Sequence, residues 1–148
     1  MFCQIRFFYN DIGYFTRVHC IQEVVKTFLA STASSSQQVI NIGAGYDTTA
    51  FHLIEEGLPN IQIYELDFPD IIKKKVELLM KSLDIRQLLY TEKPAQEHKT
   101  DYGYDFGQLR LLGVDLNSSH TVVDMLRQAG LDTSVPTLVI TECVLVCK

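Results

Sequence analysis

The sequence lacks closely paired cysteines, an apolar run of membrane-spanning length and any surplus of basic charge. Its four cysteines, Cys3, Cys20, Cys143 and Cys147, include no C-x-x-C pair. That argues against a zinc site or a disulfide framework, and for small buried hydrophobes in a reducing compartment. No stretch reaches the roughly 20 apolar residues of a bilayer-spanning helix. Residues 1–8 are too short and too interrupted for a signal peptide, so a cytoplasmic location is expected. The net charge of −5 argues weakly against a nucleic-acid footprint. The four histidines, His19, His52, His98 and His120, have no spacing that calls for a metal or a general base. No metal ligand and no catalytic residue is therefore assigned. A chain of 148 residues suffices for one domain with a real core.

What is present centres on Gln38-Val39-Ile40-Asn41-Ile42-Gly43-Ala44-Gly45-Tyr46-Asp47-Thr48-Thr49. Val39 to Ile42 reads as a short buried strand. Gly43 and Gly45 form a tight turn, and Asp47 or Thr48 can cap a helix through Ala50, Phe51, Leu53 and Ile54. Strand, glycine turn and helix open a doubly wound nucleotide-binding fold. Glycine suits the turn because positive φ is open to it, and because a side chain would hold the backbone away from a ligand. Thr48 stands at the third position of G-x-G-x-x-G, so a phosphate-binding dinucleotide site is poorly supported. A two-glycine turn suits S-adenosylmethionine, which carries no phosphate. A plain strand-to-helix turn remains the simpler alternative.

The chain in order supports a Rossmann-like α/β architecture. Residues 1–13 are aromatic and poorly patterned, either a strand or a loosely packed segment. After Gly13-Tyr14-Phe15, Val18, Ile21, Val24, Val25, Phe28 and Leu29 recur at helical spacing. Arg17 lies at the start of that helix, either a solvated cation or a fork for a carboxylate. Residues 31–37 form a polar linker. Residues 61–66 alternate and read as strand two, closed by Glu65 and Asp67. An acid there, roughly 20 residues past a glycine turn, is where such folds hold ribose hydroxyls; a helix cap at Asp67 is the alternative. A helix follows from Asp70 to Leu83, with Lys73-Lys74-Lys75 as its expected solvated face. Residues 84–108 are the least patterned, and Tyr102, Tyr104 and Phe106 in them either cover a ligand or pack on the sheet edge. Residues 109–114 read as strand three, ending at Asp115-Leu116. Ser118 or Ser119 caps the next helix, and Gly130 stops it. Residues 137–141 read as strand four, with Glu142 at its end.

Four strands thus end in Gly43, Asp67, Asp115 and Glu142. In a parallel sheet such ends converge on one crevice. Asp67 can hold a ribose, Asp115 can accept from an adenine amino group, and Glu142 can face a cationic ligand.

Five segments, in this order, resemble the leucine carboxyl methyltransferase family. They are Gly13-Tyr14-Phe15-Thr16-Arg17-Val18-His19, residues 41–49, Glu65-Leu66-Asp67-Phe68-Pro69, Gly113-Val114-Asp115-Leu116, and Pro136-Thr137-Leu138 followed by Glu142-Cys143-Val144-Leu145-Val146. The resemblance spans residues 13–146. It implies an S-adenosylmethionine-dependent enzyme that methylates the C-terminal leucine carboxylate of the type 2A protein phosphatase catalytic subunit. It implies cofactor contacts from Arg17, Gly43, Gly45, Asp67, Asp115, Leu116 and Glu142, with Arg17 on the methionine carboxylate, and it selects Asp67 over Glu65. A monomer without membrane association is expected. A related branch, the wybutosine-synthesis carboxyl methyltransferase, would bring a tRNA partner instead.

The family's earlier lysine-containing segment and its residues beyond Val146 have no counterpart here. The expectation is therefore a truncated member: a partial domain over residues 1–148, with a helix at 13–30 and a nucleotide-fold core at 38–146, incomplete on its C-terminal side. A non-catalytic S-adenosylmethionine-binding module is the rival of another class, and an NAD-dependent dehydrogenase is disfavoured by Thr48.

Overall fold

The computed structural model describes residues 3–31, 36–58, 60–90, 94–117, 119–142 and 144. The chain divides into two units, Met1–Ala33 and Ser34–Lys148. The first carries one helix, α1 (Cys3–Ser31). The expectation of a strand or loose segment before Gly13 gives way to helix. The sequence offers the reason: no proline interrupts residues 3–31, and one glycine weakens a helix by only about 1 kcal/mol.

The second unit is a six-stranded sheet with helices on both faces, a Rossmann-like α/β fold. Its strands are β1 (Gln37–Ile42), β2 (Ile61–Asp67), β3 (Lys99–Thr100), β4 (Gly103–Asp105), β5 (Leu109–Gly113) and β6 (Thr137–Thr141). They lie in the order β3-β4-β5-β2-β1-β6. β5, β2, β1 and β6 are mutually parallel, and β3 and β4 join antiparallel at one side. The parallel part grows outward from β1 to β2 and β5, then returns to place β6 on the other side of β1. That return defines a switch point, where open α/β sheets bind ligands at their carboxyl ends.

Side-chain alternation along the strands builds two buried faces. Ile40, Tyr64, Leu66, Leu112 and Val114 form one core layer with Leu126 and Ala129. Leu126 belongs to the helix α5 (Ser119–Gln128), which ends just before Ala129. Residues of the other parity, Val39, Ile63, Leu109 and Leu111, are buried on the opposite face. There α3 (Pro69–Lys81) packs on β2 and β5 and contributes Ile72, Val76 and Leu79, one stripe at helical spacing. Pro69 in its first turn is compatible with a helix start. The sequence-read helix over 70–83 thus ends at Lys81, because Ser82 is extended and caps the short α4 (Leu83–Leu88) by accepting from the Ile85 N–H. Between β1 and β2 lies α2 (Thr49–Glu55), which packs on α4.

A buried amide fixes β6 beside β1. Gln38 Oε1 accepts from the Asp132 N–H (3.0 Å), while its Nε2 donates to the Asp132 carbonyl (2.7 Å) and to Thr137 Oγ1 (3.0 Å). One side chain on β1 therefore holds the loop that delivers β6.

The four-strand reading needs a correction. Residues 84–108 contain all but the first residue of α4, a 3-10 turn (Ala95–His98) and the β3–β4 hairpin, which is too short to show a period. Tyr102 packs against the core layer, and Phe106 is buried. Tyr102 donates to Asp105 Oδ2 (2.8 Å), which also pairs with Arg110 Nε (3.2 Å), so the hairpin is tied to β5. Pro59, Ser118, Cys143 and the polar stretch 32–35, all read from sequence, lie outside the described residues. No helix among the described residues is long and apolar enough to cross a membrane.

Candidate functional site

β1 ends at Ile42 beside Leu66 of β2 and Thr141 of β6. The next residues on these strands share one edge. Asp67 pairs with Gly113 of β5, so Asp115 lies two residues past that pairing. The structure thereby gathers Gly43, Gly45, Asp67, Asp115, Leu116 and Glu142 at the carboxyl ends of four adjacent parallel strands. Arg17 is carried by α1, not by the sheet.

The turn after β1 is held by backbone bonds. The N–H groups of Gly43 and Ala44 both donate to the Leu66 carbonyl (2.8 and 3.1 Å), folding the turn over the end of β2. Gly43 has φ +71° and Gly45 φ +48°, a region closed to most side chains. A Cβ on Gly43 would also run into the Val144 side chain. At Gly45 only Asp67 Oδ2 is near, so that position stays open.

Asp67 is half-buried and anchors the turn. Its Oδ2 accepts from the Gly45 N–H and its Oδ1 from the Phe68 N–H, both at 2.7 Å. A carboxylate offers about four acceptor positions. Two bonds to backbone leave capacity for hydroxyl donors. Asp67 is not the cap residue of α3; Phe68 occupies that place. Asp115 is exposed, and its Oδ1 accepts from both the backbone and side-chain nitrogens of Asn117 (2.9 Å each), a local turn that holds the loop carrying Leu116. Leu116 packs against the core layer. Glu142 is half-buried directly after β6.

Beneath the turn lies a polar cluster that sequence reading missed. Glu65 is fully buried on β2, two residues before Asp67 and on the same face. Lys75 of α3 places Nζ 2.6 Å from Glu65 Oε2 and donates to the Asp47 carbonyl at 2.9 Å. Glu65 Oε1 has no hydrogen-bond donor among the described residues. Burial pushes the Glu65 carboxyl up to about 7, against the pull of Lys75. Asp47 in turn accepts from Asn41 Nδ2 (3.0 Å) and from the Thr49 N–H (2.7 Å). Thr48 precedes α2 without a side-chain cap, so Asp47 does the capping of that end.

The expected solvated face of three lysines is therefore wrong at one position. Lys73 and Lys74 are exposed; Lys75 is 2% exposed. The signal was its spacing, since Lys75 falls within the Ile72, Val76, Leu79 stripe.

The family model described as leucine carboxyl methyltransferase matches residues 9–146. The chain is 35% identical over 135 residues to leucine carboxyl methyltransferase 1 of Rattus norvegicus, covering 90% of this chain and 40% of that one. It is 36% identical over 140 residues to the leucine carboxyl methyltransferase 1 homolog of Arabidopsis thaliana, with the same coverage. It is also 30% identical over 138 residues to tRNA wybutosine-synthesizing protein 4 of Homo sapiens, covering 90% of this chain and 20% of that one. The chain thus spans about 40% of the length of the first two relatives.

Proposed function

This chain belongs to the leucine carboxyl methyltransferase family, and we propose that it binds S-adenosylmethionine and directs methyl transfer to a carboxylate oxygen. The proposed acceptor is the C-terminal leucine of the type 2A protein phosphatase catalytic subunit, met in the cytoplasm by a monomer. The observation that carries the reading is the switch point between β1 and β6, with an open glycine turn at the end of β1 pinned to the Asp67 carboxylate.

The residues suit the cofactor. Gly45 at positive φ leaves its stretch of the turn backbone approachable, and Asp67 keeps acceptor capacity for two ribose hydroxyls. In this reading Asp115 and Leu116 frame the adenine, Glu142 faces the cationic portion, and Arg17 grips the methionine carboxylate with its planar fork. When bound, the cofactor supplies an electrophilic methyl group on a sulfonium. A terminal carboxylate is already ionised at neutral pH, so no general base is assigned. The protein's part is to align the accepting oxygen and to exclude water. The core of this activity is assigned to residues 38–146, with the helix at 13–30 contributing Arg17.

Calorimetric titration with S-adenosylmethionine, S-adenosylhomocysteine and NAD tests the cofactor. Binding of NAD alone, or of none of the three, defeats it. Transfer of labelled methyl to a peptide ending in the phosphatase leucine tests the substrate. The similarity to the wybutosine protein supports a second reading, in which label goes to tRNA instead. Binding without transfer to either acceptor would make this chain a non-catalytic binding module.

A further inference from the structure

We propose that Lys75 is a positioning residue for the glycine turn: held between Glu65 and the Asp47 carbonyl, it fixes the backbone of residues 43–47 in the shape a ligand meets. The proposal deepens the reading above and rests on the turn being the cofactor site.

Lys75 reaches the turn from α3, 28 residues further along the chain, and its Nζ donates to the Asp47 carbonyl at 2.9 Å. Its side chain is 3% exposed and that of Glu65 is fully buried. Taking two such ions out of water costs several kcal/mol each, and a well-packed apolar pair of equal volume often serves stability as well or better. Net stability is therefore a poor reason for Lys75 and Glu65 to occupy these places. What an apolar pair cannot do is donate to the Asp47 carbonyl.

Asp47 is the pivot. Its N–H donates to the Ala44 carbonyl (2.8 Å), closing the turn from within. Its carboxylate joins Asn41 on β1 to the first turn of α2. Its carbonyl is held by Lys75 alone among the described side-chain bonds. Asn41 is the register partner of Glu65, so the cluster spans β1, β2 and α3. Two acids on one face of β2 thus serve the same turn: Asp67 holds the Gly45 N–H directly, and Glu65 holds the lysine that grips Asp47.

The test uses the full chain with Lys75→Met, the neutral pair Lys75→Met/Glu65→Gln, and Lys74→Met as an exposed control. Lys75→Met alone leaves a buried carboxylate unpaired and is expected to lower the melting temperature. The neutral pair removes that burden and is the deciding variant. Its expected behaviour is near-wild-type melting, at least tenfold weaker S-adenosylmethionine binding, and faster hydrogen exchange at the Gly43, Gly45 and Asp47 amides with the Leu111 and Leu112 amides unchanged. Wild-type exchange at the turn amides in the neutral pair overturns the proposal, as does wild-type affinity. If the wild type itself binds no S-adenosylmethionine, the proposed function fails, while exchange at the turn still judges Lys75.

Discussion

The Gly45 N–H points at Asp67 Oδ2 across 2.7 Å, joining the turn after β1 to the last residue of β2. A residue read as a ribose acceptor is thus also a brace for the backbone on which the cofactor would lie. Asp67→Ala should lose both functions. Losing even one bond to a charged acceptor corresponds to about 1.5–3 kcal/mol, tenfold or more in affinity for S-adenosylmethionine. Calorimetry beside a ligand-free melt separates the two. Unchanged affinity with a lowered melting temperature would leave Asp67 as a brace only.

Gly43→Ala forces a side chain into φ +71° and against Val144. The backbone term is roughly 1–2 kcal/mol, and the steric conflict adds to it. Lower melting temperature and loss of cofactor binding are expected together. A variant with wild-type melting and affinity would show that the turn relaxes without consequence.

For Arg17 the comparison is with lysine and alanine. If its fork holds the methionine carboxylate, Arg17→Lys keeps the charge yet loses much of the affinity, because an ammonium cannot make two parallel bonds in one plane. A ligand-free melt of each variant separates a loss of binding from a loss of folding. Full affinity in Arg17→Lys would reduce the role to charge, and equal affinity in all three would remove Arg17 from the site.

Glu65 makes stability depend on pH. Its carboxyl sits raised in the folded state, to about 7 from an ordinary 4.5, chiefly through burial. Such a group favours the folded state in its protonated form. Its contribution is full below the unfolded value and is lost as pH rises through the folded one. Glu65→Gln removes that dependence. Denaturant melts of both proteins should show the variant gaining on the wild type between about pH 4.5 and pH 7, with the difference levelling off on either side of that window. A difference that stays constant across it would show that Lys75 keeps Glu65 ionised throughout.

Much of this architecture is legible because its parallel strands are apolar runs between glycine, proline and acidic residues. The stretches 39–42, 61–66, 109–114 and 137–141 each carry enough apolar length to declare themselves, and their ends fall where the sheet ends. The β3–β4 hairpin was not legible, since strands of two and three residues have no period to read. Its stability comes from Arg110, Asp105 and Tyr102, which meet only in the folded sheet. Lys75 was misread for a different reason. A run of three lysines looks solvated as a composition, but a helix turns each by about 100°, and the third faces inward. The six residues gathered at the strand ends are readable from spacing and resemblance, and so is the capping by Asp47; that Lys75 joins Glu65 to the Asp47 carbonyl is a contact between elements that no local pattern announces.

The return of the chain to β1 sets an order of events in time. Gln38 of β1 meets Thr137 of β6 only after 98 intervening residues have been made. During synthesis the glycine turn and its Asp67 brace can form from the first half of the chain, while β1 keeps one flank bare until β6 emerges. Non-local pairings of this kind are slow steps in folding. In pulse-labelled refolding, amides bonded between β1 and β2 should therefore gain protection before those bonded between β1 and β6, and the crevice should acquire its second wall last.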